Sequence, residues 1–281
     1  FDNALRLKPA RPIYGVLALE CLKAMQNWPE ILRRCQSYMH DAAAPPRLLF
    51  RAADALHAYA NHTGEERYFA QALRTVDAGF GRLDQTGRQE PLTSILAGAY
   101  ATKSLCLGRL GHASESLRVL DEAVHRFPEN MTLLTARGLR KQELGLADAV
   151  DDFRQAVARG TSVAWAYVEL ARDSLRNGRN PDAVDLCRRG IALAQGGRVT
   201  AILFEMLAIG LLRLNDSAEA VRATFQTAGE IDPLSEEIRF NREQFEDLAA
   251  NGQTQEPQWH LGSTSSESAM AEVCAQLQPA A

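Results

Sequence analysis

Apolar residues recur along most of the chain with the three-to-four-residue spacing of an amphipathic α-helix. No stretch alternates apolar and polar positions for long enough to predict a β-strand. In the stretch ASESLRVLDEAVHR, the bulky Leu120 shares a helical face with the small residues Ser116 and Ala123. A small residue on an apolar face predicts that another helix crosses there closely, because overpacking costs about 1–3 kcal/mol. The pattern therefore predicts an all-α protein of short, tightly crossed helices.

The helical segments repeat with a nearly constant period. A glycine or asparagine opens a segment at four positions that are 34, 33 and 37 residues apart: Gly111, Gly145, Gly178 and Asn215. A small residue follows later in each segment, at Ala123, Ala156, Gly190 and Ala228. A period of about 34 residues made of two helices predicts a stack of helix hairpins, because a single hairpin cannot bury its apolar face alone.

Proline and capping residues predict where several helices begin and end. Pro128 and Pro233 are expected to end the second helix of their hairpins, because proline lacks a backbone donor. Asn130 and Thr200 are candidate N-caps for the helices that follow. Ser235, followed by two glutamates, predicts the start of a terminal capping helix.

These features resemble the tetratricopeptide repeat (TPR) family. The resemblance is clearest in three consecutive units, and a fourth, which ends at Pro233, is looser. The first unit carries Tyr100, Ser104, Leu110, Gly111, Ser116, Leu120, Ala123 and Pro128. The second and third units depart from the family pattern, with Thr161 and Gln195 in place of the closing proline. The resemblance implies a right-handed α-solenoid of stacked antiparallel helix hairpins, with about six TPR-like units and a C-terminal capping helix.

This interpretation divides the chain into a solenoid and a tail. Residues 1–250 are expected to form the solenoid, with degenerate units in 1–90, regular units in 91–233 and the capping helix in 234–250. The opening FDNALRLKP resembles the end of a second helix, so we expect the chain to begin within a repeat. Residues 251–281 are rich in Gln, Ser, Thr, Gly and Pro, which predicts disorder. A short helix over 266–277 is the alternative, and docking of that helix in the chain's own groove is a hypothesis.

The sequence carries no motif of a catalytic, cofactor or metal site. We therefore expect a protein that is not an enzyme and needs no cofactor. A net charge of -4 argues against nucleic acid as the main partner, and no apolar run is long enough for a membrane span. The five cysteines form no C-x-x-C pair, which predicts free thiols in a reducing compartment and hence a cytoplasmic location.

In TPR proteins the first helix of each hairpin lines an inner groove that binds a peptide or a helix. The resemblance implies groove positions at Leu105, Thr135, Leu139, Gln142, Trp165, Val168, Arg172, Leu175, Glu205, Ile209 and Leu212. The chaperone-binding subclass clamps a terminal carboxylate with Lys and Asn at such positions. Here Arg172 is the only strongly basic member, so that clamp is not expected. Trp165 and Arg172 are of residue types that often dominate binding energy.

The resulting hypothesis is a non-enzymatic scaffold that binds a peptide or helix of a protein partner in the concave groove. The alternative is a regulatory or docking arm of a larger enzyme or of a secretion or assembly component whose N-terminal part is missing. An (α/α) toroid enzyme is disfavoured, because the regular period lacks a carboxylate pair on long loops. The sequence indicates neither the partner nor the pathway.

Overall fold

The computed structural model describes residues 12–86, 93–251, 257–261 and 266–277. Over these ranges the regular structure consists of fourteen helices and no strand. The first seven are α1 (Pro12–Ala24), α2 (Trp28–His40), α3 (Pro46–Thr63), α4 (Glu66–Thr86), α5 (Thr93–Arg109), α6 (Ala113–Arg126) and α7 (Met131–Glu143). The others are α8 (Ala149–Ala158), α9 (Ala164–Arg176), α10 (Asn180–Leu193), α11 (Arg198–Arg213), α12 (Ala218–Ile231), α13 (Glu236–Asn251) and α14 (Ser266–Ala275).

The periodic turns between helices use left-handed backbone conformations. Gly111 and Gly178 have φ values of +79° and +68°, which glycine adopts without steric cost. Asn215 takes the equivalent place before α12 with φ +58°, a region that asparagine tolerates better than most residues. The turn positions predicted from the repeat are confirmed here.

Two of the three predicted helix caps are confirmed and one is wrong. The side chain of Asn130 accepts a hydrogen bond of 3.0 Å from the backbone N–H three residues on, and Ser235 does the same at 3.3 Å. Thr200 is not a cap, because α11 already begins two residues earlier, behind Gly197. Gly197, with φ +74°, takes the cap position.

The chain forms two compact units. Of the described residues, unit 1 contains those up to Leu144 and from Met270 onward, and unit 2 contains those from Gly145 to Ala269. Within each unit consecutive helices pack against each other, as helix hairpins do. The first helices of successive hairpins also lie side by side: α1, α3, α5 and α7 in unit 1, and α9, α11 and α13 in unit 2. We call the layer that they form the first-helix face of that unit.

Close helix crossings explain the periodic small residues. Ala123, Ala156 and Ala228 are fully buried on the second helices of their hairpins. A Cβ atom at Gly190 would lie only 2.9 Å from the Cβ of Tyr167 on α9 and 3.0 Å from Leu203 on α11. The helices therefore approach to a distance that only a very small residue permits.

The described part of the tail differs from the disorder expected for 251–281. Helix α14 is present, and Met270, Val273 and Leu277 are 0%, 0% and 8% exposed. These residues recur at a spacing of three and four, so they share one apolar side that a surface can cover. Composition predicted disorder because it averaged this side with the polar residues around it. No helix in the described ranges is both long and apolar enough to cross a membrane.

Candidate protein-interaction site

In unit 1, the predicted groove positions lie on α5 and α7. Leu105, Thr135 and Leu139 are buried and Gln142 is half-buried. The Thr135 hydroxyl donates to a carbonyl of its own helix at 2.8 Å. Their role in binding stays a prediction.

Residues 270–277 of the tail belong to unit 1 and pack beside its helix α5. A Cβ atom on Gly98, a residue of α5, would lie 3.5 Å from the Leu277 carbonyl oxygen. Burial raises the pKa of the Cys274 thiol to about 12, against an opposing effect of the Arg140 charge on α7. The tail therefore lies close to the same two first helices that carry the predicted groove positions.

In unit 2, the predicted groove positions lie on α9 and α11. All are buried except the half-buried Leu212: Trp165, Val168, Arg172, Leu175, Glu205 and Ile209. Two of them, Arg172 and Glu205, take part in the polar contacts around tail residues 257–261. The arrangement brings these two together and leaves the apolar members in the helical core.

Asn241 on α13 holds the backbone of the tail. Its amide nitrogen donates to the His260 carbonyl at 2.6 Å, and its amide oxygen accepts from the His260 N–H at 2.9 Å. In an extended chain both backbone groups of one residue point to the same side, as in an antiparallel strand pair. The Asn241 amide therefore takes the place of a neighbouring strand. Its remaining hydrogen goes to Glu205 Oε1 at 2.7 Å, so all three of its bonding groups have partners.

Arg172 holds the next carbonyl of the tail. Its Nε donates to the Leu261 carbonyl at 2.7 Å, and its guanidinium also pairs with Glu169 one turn earlier on α9. Arg172 and Glu169 are 2% and 6% exposed. A charged donor that is kept from water makes a stronger hydrogen bond than a neutral one.

Glu205 has an unusual protonation equilibrium. The pKa of its carboxyl is raised to about 8, chiefly by burial and also by the charge of Glu237, against the lowering effects of the Asn241 hydrogen bond and the Arg172 charge. At neutral pH the carboxyl is therefore largely protonated. This limits the negative charge beside the tail backbone.

Aromatic side chains form the apolar part of the site. The Trp259 ring is stacked on Phe225 of α12 with the ring planes inclined by 29° and the ring centroids 6.3 Å apart, and Phe225 packs on Phe245 at 5.7 Å. The His260 ring packs on Phe240 of α13 at 4.5 Å. We call Phe225, Phe240 and Phe245 the aromatic wall.

A charged cleft of about 660 Å³ adjoins the tail at His260 and Leu261. Its other lining residues are Phe240 and five charged residues, Arg176, Glu236, Glu237, Arg239 and Glu243. Both signs of charge are present, so the cleft suits a zwitterionic or mixed-charge neighbour rather than a single strong anion.

Sequence reasoning missed Asn241 and the aromatic wall. The predicted groove positions follow from the regular repeat, which ends with α12, whereas the sequence predicts α13 only as a terminal capping helix. A signal was present, because Ile238, Asn241 and Phe245 share one helical face and an asparagine interrupts an otherwise apolar stripe. A buried amide on such a stripe requires a hydrogen-bonding partner.

The described residues contain no group of three or more His, Cys, Asp or Glu that could hold a metal ion. The five cysteines are free thiols, and four of them are buried.

No protein-family model and no curated protein matches the chain. Several solved structures do align with the chain. A chain of the APC/C hetero-tetramer Cut9–Hcn1 aligns with a TM-score of 0.61 at 10% identity, over 98% of this chain and 48% of that chain. BtubC (BKLC) from P. vanneervenii aligns with a TM-score of 0.57 at 16% identity, over 86% of this chain and 96% of that chain. The chain thus spans about half the length of the Cut9–Hcn1 chain that it matches.

These structures, the repeat period and the hairpin packing agree on the class of protein. The chain is an all-α helical-repeat protein with the fold of the tetratricopeptide repeat proteins, a solenoid of stacked helix hairpins. The resemblance found in the sequence is confirmed at the level of fold.

Proposed function

We propose that this protein is a non-enzymatic interaction scaffold that binds a segment of a protein partner along its first-helix face. One observation carries the proposal. Three successive first helices of unit 2 contribute Arg172, Glu205 and Asn241 to the polar contacts around a single stretch of non-helical chain. Contacts to a peptide backbone are what a surface needs in order to hold an extended segment.

The chemistry of the face favours protein over nucleic acid. Asn241 offers a donor and an acceptor side by side, which matches a peptide backbone and not a row of phosphates. The only strong cation among the predicted groove positions, Arg172, is already paired with Glu169. The buried free thiols support the expected cytoplasmic location, which stays a prediction.

The test is affinity capture from native lysate with the full chain carrying His260→Pro, which releases the tail from Asn241, as the parent bait and the same chain with Asn241→Ala added as the comparison. The matched control is Glu219→Gln, a substitution of an exposed residue on α12. A protein retained by the parent and the control, but lost by Asn241→Ala, supports the proposal. Equal capture by all three baits contradicts the assignment of this face. Thermal unfolding of each bait verifies that Asn241→Ala remains folded.

The alternative, a docking arm of a larger enzyme or assembly component, uses the same face. The gene and the captured protein together distinguish the two hypotheses. If the gene for this segment also encodes an enzyme or assembly domain, the docking arm is favoured. If the captured partner is a separate chain and no such domain is encoded, the scaffold is favoured.

A further inference from the structure

The tail segment 257–261 occupies the first-helix face of unit 2 in the way that a bound peptide would. Three of its backbone groups are held, namely the N–H and C=O of His260 and the C=O of Leu261. Asn241, which holds two of them, is 0% exposed. A buried amide that loses such partners costs about 1–3 kcal/mol, so the site is stable only when a chain segment or ordered water fills it.

Two side chains of the segment add specificity to these backbone contacts. Trp259 stacks over Phe225, and His260 lies against Phe240. Backbone contacts are independent of sequence, whereas the aromatic wall distinguishes an aromatic residue from a small or charged one. The segment therefore shows which features a ligand of this site needs.

We infer that the site recognises an extended partner segment with two consecutive ring-bearing side chains, and that residues 257–261 are an internal competitor which such a partner must displace. The first ring takes the place of Trp259 and the second takes the place of His260. This inference rests on the proposed function and names the ligand class of the same site. A longer partner segment reaches the charged cleft next to Leu261.

The short connection to α13 makes the internal segment an effective competitor. Only five residues, 252–256, separate Asn251, the last residue of α13, from the segment. A covalent connection of five residues keeps the segment at a high effective concentration beside the face. The apparent affinity of an external ligand falls by the fraction of molecules whose site is open. A segment whose intrinsic dissociation constant is about tenfold below that effective concentration lowers the apparent affinity of an external ligand by about tenfold.

The competition can be tested in the full chain with a proline substitution. His260→Pro removes the N–H that Asn241 accepts from, and it leaves the first-helix face unaltered. The matched control is Gln258→Pro, which introduces the same residue at an exposed position of the same segment. The probe is a fluorescent peptide of residues 255–263, QEPQWHLGS, whose binding is measured by anisotropy.

The expected result is that His260→Pro binds the probe at least about tenfold more tightly than the parent, while Gln258→Pro binds like the parent. Adding Asn241→Ala to His260→Pro is expected to remove most of that gain. Substituting alanine for the tryptophan of the probe is expected to weaken binding, because contact with Phe225 is lost.

Two other outcomes overturn different claims. If the parent and His260→Pro bind the probe equally, and Asn241→Ala weakens both, the face binds peptides but the tail does not compete, so the inference fails and the proposed function stands. If folded His260→Pro does not bind the probe, the face is not a peptide site, and the proposed function fails with the inference. Trp259→Ala in the full chain provides a second variant in which the tail is expected to leave the site. It should bind the probe more tightly than the parent, as His260→Pro does.

Discussion

Replacing Gly190 with alanine tests the close helix crossing that defines the fold of unit 2. The added Cβ atom would lie 2.9 Å from the Cβ of Tyr167 and 3.0 Å from a methyl group of Leu203. The Leu203 methyl can rotate away, but the backbone fixes the Cβ of Tyr167. The substitution therefore forces α9 and α10 apart or strains one of them.

Two opposing effects determine the magnitude. Alanine in place of glycine within a helix gains about 0.5–1 kcal/mol. Overpacking costs about 1–3 kcal/mol. We expect Gly190→Ala to destabilise unit 2 by about 1 kcal/mol in net free energy of unfolding.

Gly229→Ala provides a matched control. Gly229 lies near the C-terminal end of α12, as Gly190 does on α10. The nearest atom to a Cβ at Gly229 would be an Arg242 guanidinium nitrogen at 3.6 Å, which is an ordinary contact. The helix gain is then unopposed, and we expect a stabilisation of about 0.5–1 kcal/mol.

The assay is urea unfolding followed by tryptophan emission, to which Trp28, Trp165 and Trp259 all contribute, and by far-UV circular dichroism. Both probes are needed because repeat proteins do not always unfold in a single step. The difference between the two variants isolates the cost of overpacking, because the helix-propensity term cancels. A Gly190→Ala protein that is as stable as Gly229→Ala would refute the close crossing.

Two further predictions concern Glu205 and the tail helix. The pKa of the Glu205 carboxyl is raised from 4.5 to about 8 in the folded protein. The protonated carboxyl therefore adds to the free energy of unfolding fully below about pH 4.5, and this addition is lost as pH rises through 8. Glu205→Gln should therefore flatten the fall in unfolding free energy by up to about 1.4 kcal/mol per pH unit in that window, and parallel curves at pH 5, 7 and 9 would contradict this. Met270→Ala should loosen the tail helix by removing a fully buried side chain, so that Cys274 reacts faster with a thiol reagent while the exposed Cys21 is unaffected. An unchanged rate at Cys274 would mean that Met270 does not hold the helix in place.

Much of the fold was predictable because each structural requirement of the repeat recurs at equivalent positions in several units. Gly111 and Asn215 differ in residue type but hold the same turn, and Ala123 and Gly190 differ but satisfy the same close crossing. Thr200 was misassigned as a cap because the preceding Gly197 offered an earlier start to α11. Local signals compete at helix ends, whereas periodic ones reinforce each other.

The candidate site was less predictable because it joins residues that are distant in sequence. Arg172 and Leu261 are 89 positions apart, and no periodic signal connects them. Arg172 and Glu205 were among the predicted groove positions, but Asn241 was not. The tail was expected to be disordered because its composition is polar, although Trp259 and the apolar side of α14 provide enough contact area once a surface is present.

The measurement that tests the central claim most directly is hydrogen exchange of the His260 amide in the full chain by NMR, with the exposed Gln258 as an internal reference. If the segment occupies the site in at least nine molecules of ten, the His260 N–H should exchange about tenfold more slowly than the Gln258 N–H, relative to their intrinsic rates. Asn241→Ala should abolish the difference, because Asn241 Oδ1 accepts from that N–H. If the parent protein shows equal and unprotected exchange at both positions, the tail does not occupy the first-helix face of unit 2.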